Sequence, residues 1–80
     1  MKRQDVIETV NSLMKEDKLR GISVILVQDG CQTIYRKEIA EYKCTCHDSY
    51  LEVTSTGGNF VSKKFIPYEN ILYVEGVIDK

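Results

Sequence analysis

The chain has 80 residues, with 11 Lys and Arg against 12 Asp and Glu, a formal net charge of −1 and an isoelectric point near 5.8. One domain of this length buries only about 60% of the surface of its unfolded chain, and the balanced charge argues against a dedicated DNA-binding protein, which carries a basic excess. No apolar run is long enough for a membrane-spanning helix, and polar Gln4, Asp5 and Glu8 stand where a signal peptide would be apolar. The chain has three cysteines, an odd number, which fits a reducing compartment where disulfides do not form. It is therefore predicted to be cytoplasmic.

The first predicted element is a helix over about residues 4–17. Its apolar residues recur at helical spacing and share one stripe: Val6, Ile7, Val10, Leu13 and Met14. Gly21 follows as a stop signal. An apolar stripe must be covered, and we expect this one to cap the open end of a barrel.

Strands are predicted over about residues 22–78. The β-branched run Ile22–Gln28 ends in Asp29-Gly30, a pair that favours a type I′ hairpin turn. The returning strand runs from about Cys31 to Cys46, which is long for one straight strand. The charged triplet Arg36-Lys37-Glu38 marks a bend, a bulge or a break, and the sequence leaves open which of these it is. Beyond it the chain alternates with period two, so that Ala40, Tyr42, Cys44 and Cys46 share one face.

Three more segments complete the predicted sheet. A strand at Tyr50–Ser55 leads through a turn at Gly57-Gly58 into a strand at Phe60–Ile66. Pro67 lacks an N–H and must interrupt the ladder, so Pro67–Asn70 is predicted as one turn of 3₁₀ helix before a last strand at Ile71–Val74. Residues 1–80 are therefore predicted to form a single, mainly β domain with an N-terminal helix: a small five-stranded barrel of the SH3 or Sm-like kind.

The order of these elements resembles the Sm-like family, over roughly Ile22 to Val74. The family's first motif is similar to Val24–Gly30 together with Asp48–Val53, and its second motif is similar to Ile66–Val74. The chain looks closer to bacterial Sm-like proteins of unassigned role than to the splicing members. The resemblance implies a ring in which the last strand pairs with a neighbouring subunit, and it implies RNA binding, as in many members.

Two sets of residues follow as candidates for these roles. Ile71–Val74 carries no charge and is the predicted oligomer edge, since an edge strand must be paired, covered or charged. Where the family has Arg-Gly in its second motif, this chain has Pro67-Tyr68. The candidate nucleic-acid-binding residues combine basic side chains with an aromatic that stacks on a base: Lys63, Lys64, Arg36, Lys37 and Tyr68.

The sharpest local cluster is Cys44-x-Cys46-His47, whose thiols and imidazole are zinc ligands. Its spacing differs from that of common zinc sites, and alternating cysteines on a strand are usually small buried hydrophobes. We expect no cofactor, and no catalytic residue is assigned, because His47 and Cys46 are sequence neighbours that a strand points to opposite faces.

The leading hypothesis is a non-catalytic Sm-like module that self-assembles and binds RNA. The first alternative is a protein-interaction or regulatory module of the same fold without nucleic-acid binding. The second is a small metal or redox protein built on Cys31, Cys44, Cys46 and His47.

Overall fold

The computed structural model describes residues 1–28, 30–39 and 41–80. It contains one helix, six strands and one 3₁₀ turn. In chain order these are α1 (Arg3–Met14), β1 (Leu19–Leu26), β2 (Gly30–Arg36), β3 (Tyr42–Cys46), β4 (Tyr50–Thr56), β5 (Val61–Pro67), the 3₁₀ turn η1 (Tyr68–Asn70) and β6 (Ile71–Ile78). The prediction of a mainly β domain with an N-terminal helix is confirmed.

The helix ends earlier than predicted, at Met14 instead of about residue 17. The Glu16 N–H bonds back to the Leu13 carbonyl, and the Leu19 N–H bonds to the Glu16 carbonyl, which turns the chain into β1. Residues 15–18 are all charged and exposed. A further helical turn would therefore bury no apolar side chain and would gain no stability from packing.

The six strands form two antiparallel sheets of three strands each. Sheet A has the order β2-β1-β6 and sheet B the order β3-β4-β5. The predicted five-stranded closed barrel is therefore wrong in strand number and in closure for the described part of the chain.

The difference lies at the charged triplet, where the predicted long second strand is broken. β2 ends at Arg36 and pairs with β1, whereas β3 begins at Tyr42 and pairs with β4. Between them the Ile39 N–H bonds to the Arg36 carbonyl, and the Lys37 N–H bonds to the Arg20 carbonyl. This turn keeps the charged side chains in water and sends the two halves into different sheets. Asp29 and Ala40, which belong to the predicted hairpin turn and the predicted strand face, lie outside the described residues.

One cluster of buried side chains joins both sheets to the helix. Its members come from α1, from five strands and from η1: Val6, Leu19, Ile22, Val24, Ile34, Leu51, Val53, Ile66, Tyr68 and Ile71. Val6 is fully buried, and Val10 and Leu13 pack against the cluster. The helix stripe is covered only in part, because Met14 is 51% exposed.

Gly76 of β6 lies against the side chain of Leu13 in α1. A Cβ atom at this position would overlap Cδ2 of Leu13. Because Gly76 has no side chain, α1 can pack closely against β6. No helix among the described residues combines the length and the apolar composition needed to cross a membrane.

Candidate functional site

The outer face of sheet B presents three neighbouring aromatic rings, those of His47, Tyr50 and Phe65, which we call the aromatic row. The ring centroids of His47 and Tyr50 are 4.7 Å apart, with an interplanar angle of 31°. Those of Tyr50 and Phe65 are 5.6 Å apart and nearly perpendicular, at 74°. Phe65 is 57% exposed, so the row is open to a ligand.

Strand alternation places the row on the outer face. In β4, Leu51 and Val53 are buried against the core, so Tyr50 and Glu52 point outward. In β5 the buried residue is Ile66, and Phe65 therefore lies on the outer face, directly opposite Glu52 in the β4–β5 register. The row thus depends on two strands and on the turn that precedes β4.

Glu52 is the acidic group of this face, and its carboxylate has three polar neighbours. Its Oε1 is 2.9 Å from His47 Nε2. Its Oε2 accepts a hydrogen bond of 3.4 Å from Thr54 Oγ1 and lies 4.0 Å from Lys63 Nζ. The hydrogen bond from His47, helped by the charge of Lys63, holds the pKa of Glu52 below its ordinary value although desolvation opposes this.

The turn between β3 and β4 is tied to two other elements through one carbonyl. The His47 carbonyl oxygen accepts a bond of 2.6 Å from the Tyr68 hydroxyl and one of 3.0 Å from Arg3 Nε. Arg3 begins α1 and Tyr68 begins η1. The backbone that carries the imidazole is therefore held from both sides, which keeps the row in place.

The basic residues predicted to bind nucleic acid are divided between the two sheets. Lys63 lies on the outer face beside Glu52, whereas Lys64 Nζ donates a bond of 2.7 Å to Gln32 Oε1 of β2. Arg36 is the last residue of β2, and Lys37 follows it in the turn.

Tyr68, the predicted stacking residue, is only 6% exposed, and its hydroxyl is bonded to the His47 carbonyl. Its ring is a core side chain rather than a surface platform. Sequence reasoning missed Phe65 in this role. The available signal was that Phe65 occupies the position next to a buried aliphatic residue, Ile66, of an alternating strand.

The thiols and the imidazole of the predicted metal cluster face opposite sides of sheet B. Cys44 and Cys46 lie across from Val53 and Leu51 on the inner face, whereas the His47 ring lies in the aromatic row. Burial, together with neighbouring Cys46, raises the pKa of Cys44 to about 12, so this thiol is neutral at physiological pH. Within residues 1–28, 30–39 and 41–80, no three His, Cys, Asp or Glu side chains are grouped as a metal ion requires.

The exposed large apolar side chains of sheet A, among the described residues, belong to the edge strand β6. Of the predicted oligomer edge, Leu72 and Tyr73 are 58% and 48% exposed, whereas Ile71 is 1% exposed and Val74 is half-buried. The strand continues beyond the predicted segment, and Val77 and Ile78 are 48% and 42% exposed. The apolar pair after Gly76 was the signal that would have extended the strand to Ile78.

No family model matches this chain, and no curated protein or solved structure does.

Proposed function

We propose that this protein is a non-catalytic binding module that self-associates through the free edge of β6. The observation that carries the proposal is the combination of an unpaired strand side with exposed apolar residues. β6 is an edge strand that pairs with β1 on one side. Unpaired N–H and C=O groups on such an edge are a template for another strand.

β6 is less protected than β5, an edge strand of sheet B. β5 carries Lys63 and Lys64 and ends in Pro67, and lysine and proline are the usual means of blocking an edge. β6 carries Glu75 as its one charged residue among eight. Burying the side chains of Leu72, Tyr73 and Val77 against a second copy removes apolar surface from water, which favours association.

The resemblance of the sequence to Sm-like proteins supports the same idea, because those proteins assemble through their last strand. In this chain the last strand is preceded by the 3₁₀ turn η1. Pairing of β6 with β5 of a neighbour would be heterologous and would generate a ring or an open array, whereas pairing with another β6 would give a two-fold dimer.

Light scattering coupled to size-exclusion chromatography tests the proposal. At about 100 µM we expect a mass of at least two chains, and Tyr73→Lys or Val77→Lys should reduce it to one chain. Val27→Lys is the matched control, since Val27 is 57% exposed but lies just after β1, and it should leave the mass unchanged. A wild-type mass of one chain contradicts the proposal. Loss of association in Val61→Lys of β5 identifies heterologous pairing.

A second candidate function is the binding of single-stranded RNA on the aromatic row. Its specific support is the pair of adjoining rings of Tyr50 and Phe65 with Lys63 on the same outer face. Stacking of bases on aromatic rings combined with backbone contacts by lysine is how proteins hold single strands without reading their sequence.

Fluorescence anisotropy of a labelled oligo-U, titrated with protein at several salt concentrations, tests this second function. We expect affinity that weakens as salt rises and falls about tenfold in Phe65→Ala. Phe60→Ala is the control, because Phe60 is 68% exposed but lies in the β4–β5 turn outside the row. If oligo-U and oligo-A give no signal at low salt, RNA binding is contradicted and a protein partner remains as the ligand class.

A further inference from the structure

A cavity of about 280 Å³ lies where β2 and β3 separate. The two segments are consecutive in the chain but pair in different sheets, so a gap opens between their side chains. Ile34 and Tyr35 of β2 line one side of the cavity, Tyr42 and Cys44 of β3 line the other, and Val10 of α1 is part of the wall. Separation of the two strands thus creates a space that the helix only partly covers.

The cavity has an apolar floor and an adaptable rim. Ile22 and Ile34 are 1% and 2% exposed and form its deepest part. Met14 lines it as well and is 51% exposed, and methionine adjusts its shape to ligands of irregular outline. Since the Cys44 thiol is neutral, it adds an uncharged, weakly polar wall. Water gains few hydrogen bonds in such a space, whereas an apolar group fits it.

Lys43 is the charged residue among the described residues that line the cavity. It is exposed, and within residues 1–28, 30–39 and 41–80 its ammonium group has no hydrogen bond or ion pair. Lys43 alternates with Tyr42 and Cys44 along β3, so its side chain leaves the strand on the outer face and meets the cavity at its rim. An ammonium group at the rim of an apolar cavity is complementary to a ligand with an apolar body and an anionic end.

The volume of the cavity limits the size of the ligand that it can hold. An apolar cavity of roughly 150 Å³ holds benzene, so a space nearly twice as large takes about ten to twelve non-hydrogen atoms. We propose that this cavity binds a small amphipathic carboxylate, with the apolar chain between α1, β2 and β3 and the carboxylate paired with Lys43. A medium-chain carboxylate such as octanoate has the required size and charge. This site is separate from the β6 edge and from the aromatic row.

Titration of ¹⁵N-labelled protein with octanoate, followed by amide chemical shifts, tests the proposal. We expect saturable shifts at Val10, Ile34 and Cys44, with a dissociation constant on the order of hundreds of micromolar for a ligand this small. Acetate should give no saturable shift there, and octylamine should bind at least several-fold more weakly than octanoate. If octanoate gives no saturable shifts up to several millimolar, or gives them only at β6, the proposal is overturned.

Two lysine variants separate the role of Lys43 from general charge. Lys43→Gln should weaken octanoate binding about tenfold and leave the binding of neutral octan-1-ol unchanged. Lys63→Gln removes a positive charge from the outer face of sheet B. It should change neither the affinity for octanoate nor the affinity for octan-1-ol. Equal octanoate affinity in Lys43→Gln and the wild type would overturn the pairing of the carboxylate with Lys43. Saturable octanol binding at the same amides in both proteins supports the apolar part of the site.

Discussion

The hydroxyl of Tyr68 donates a hydrogen bond of 2.6 Å to the carbonyl oxygen of His47, between groups 21 positions apart in the chain. Tyr68 opens η1, just before β6, and His47 follows β3. This bond links the turn that leads into β6 of sheet A with the turn of sheet B that carries His47, one member of the aromatic row.

Tyr68→Phe should therefore lower the free energy of unfolding by about 1 kcal/mol, the usual net value of one such bond. The loss is limited because Arg3 Nε still donates to the same carbonyl. Urea denaturation measures it. Tyr73→Phe is the matched control, since Tyr73 is 48% exposed, and it should change stability by no more than a few tenths of a kcal/mol. Equal effects of the two variants would show that the Tyr68 bond contributes nothing.

Gly76→Ala should destabilise the fold by about 1–3 kcal/mol, because the new methyl group overlaps the Leu13 side chain that packs on β6. Gly58→Ala, at a position with no heavy atom within 4 Å of the added Cβ, should have a much smaller effect. In a double-mutant cycle with Leu13→Ala, the cost of Gly76→Ala should fall. A cost that is independent of residue 13 contradicts the contact.

Glu52 should contribute to stability at neutral pH and lose that contribution in acid. Its folded-state pKa lies below the ordinary glutamate value of 4.5, chiefly through the hydrogen bond from His47. The folded state therefore binds the proton less readily than the unfolded state, and stability falls as the pH drops from about 4.5 through the folded-state pKa. Glu52→Gln should be less stable than the wild type at pH 7, and the difference should shrink at pH 3. Glu75→Gln, at an exposed position of β6, should show no such convergence in urea titrations at the two pH values.

The three cysteines should differ widely in their rates with a water-soluble disulfide reagent. Cys31 is exposed, whereas partial burial raises the pKa of Cys44 to about 12, so little of this thiol is the reactive thiolate at pH 8. We expect one fast phase that disappears in Cys31→Ser. Rapid modification of Cys44 in the folded protein, identified by mass spectrometry, would contradict the partial burial and raised pKa of this thiol.

The local elements were predictable because their signals are local. The helical stripe from Val6 to Met14 and the proline turn at Pro67 follow from spacing and from the missing N–H, and both are observed. The break at Arg36–Glu38 was located, but its type was not, since a bend and a break have the same local composition. What decides between them is whether β3 pairs with β4 or continues from β2, and this is a contact between distant residues.

The sequence by itself determined which side chains of β4 face inward, because a strand alternates with a fixed period of two. Only the tertiary structure decided that Phe65 lies opposite Glu52 beside Tyr50, that the Tyr68 ring is buried, and that a cavity opens between β2 and β3. These features depend on the register of paired strands and on which sheet each strand joins. Register and sheet membership minimise the free energy of the whole core, in which residues far apart in the chain are packed together, so no single segment specifies them.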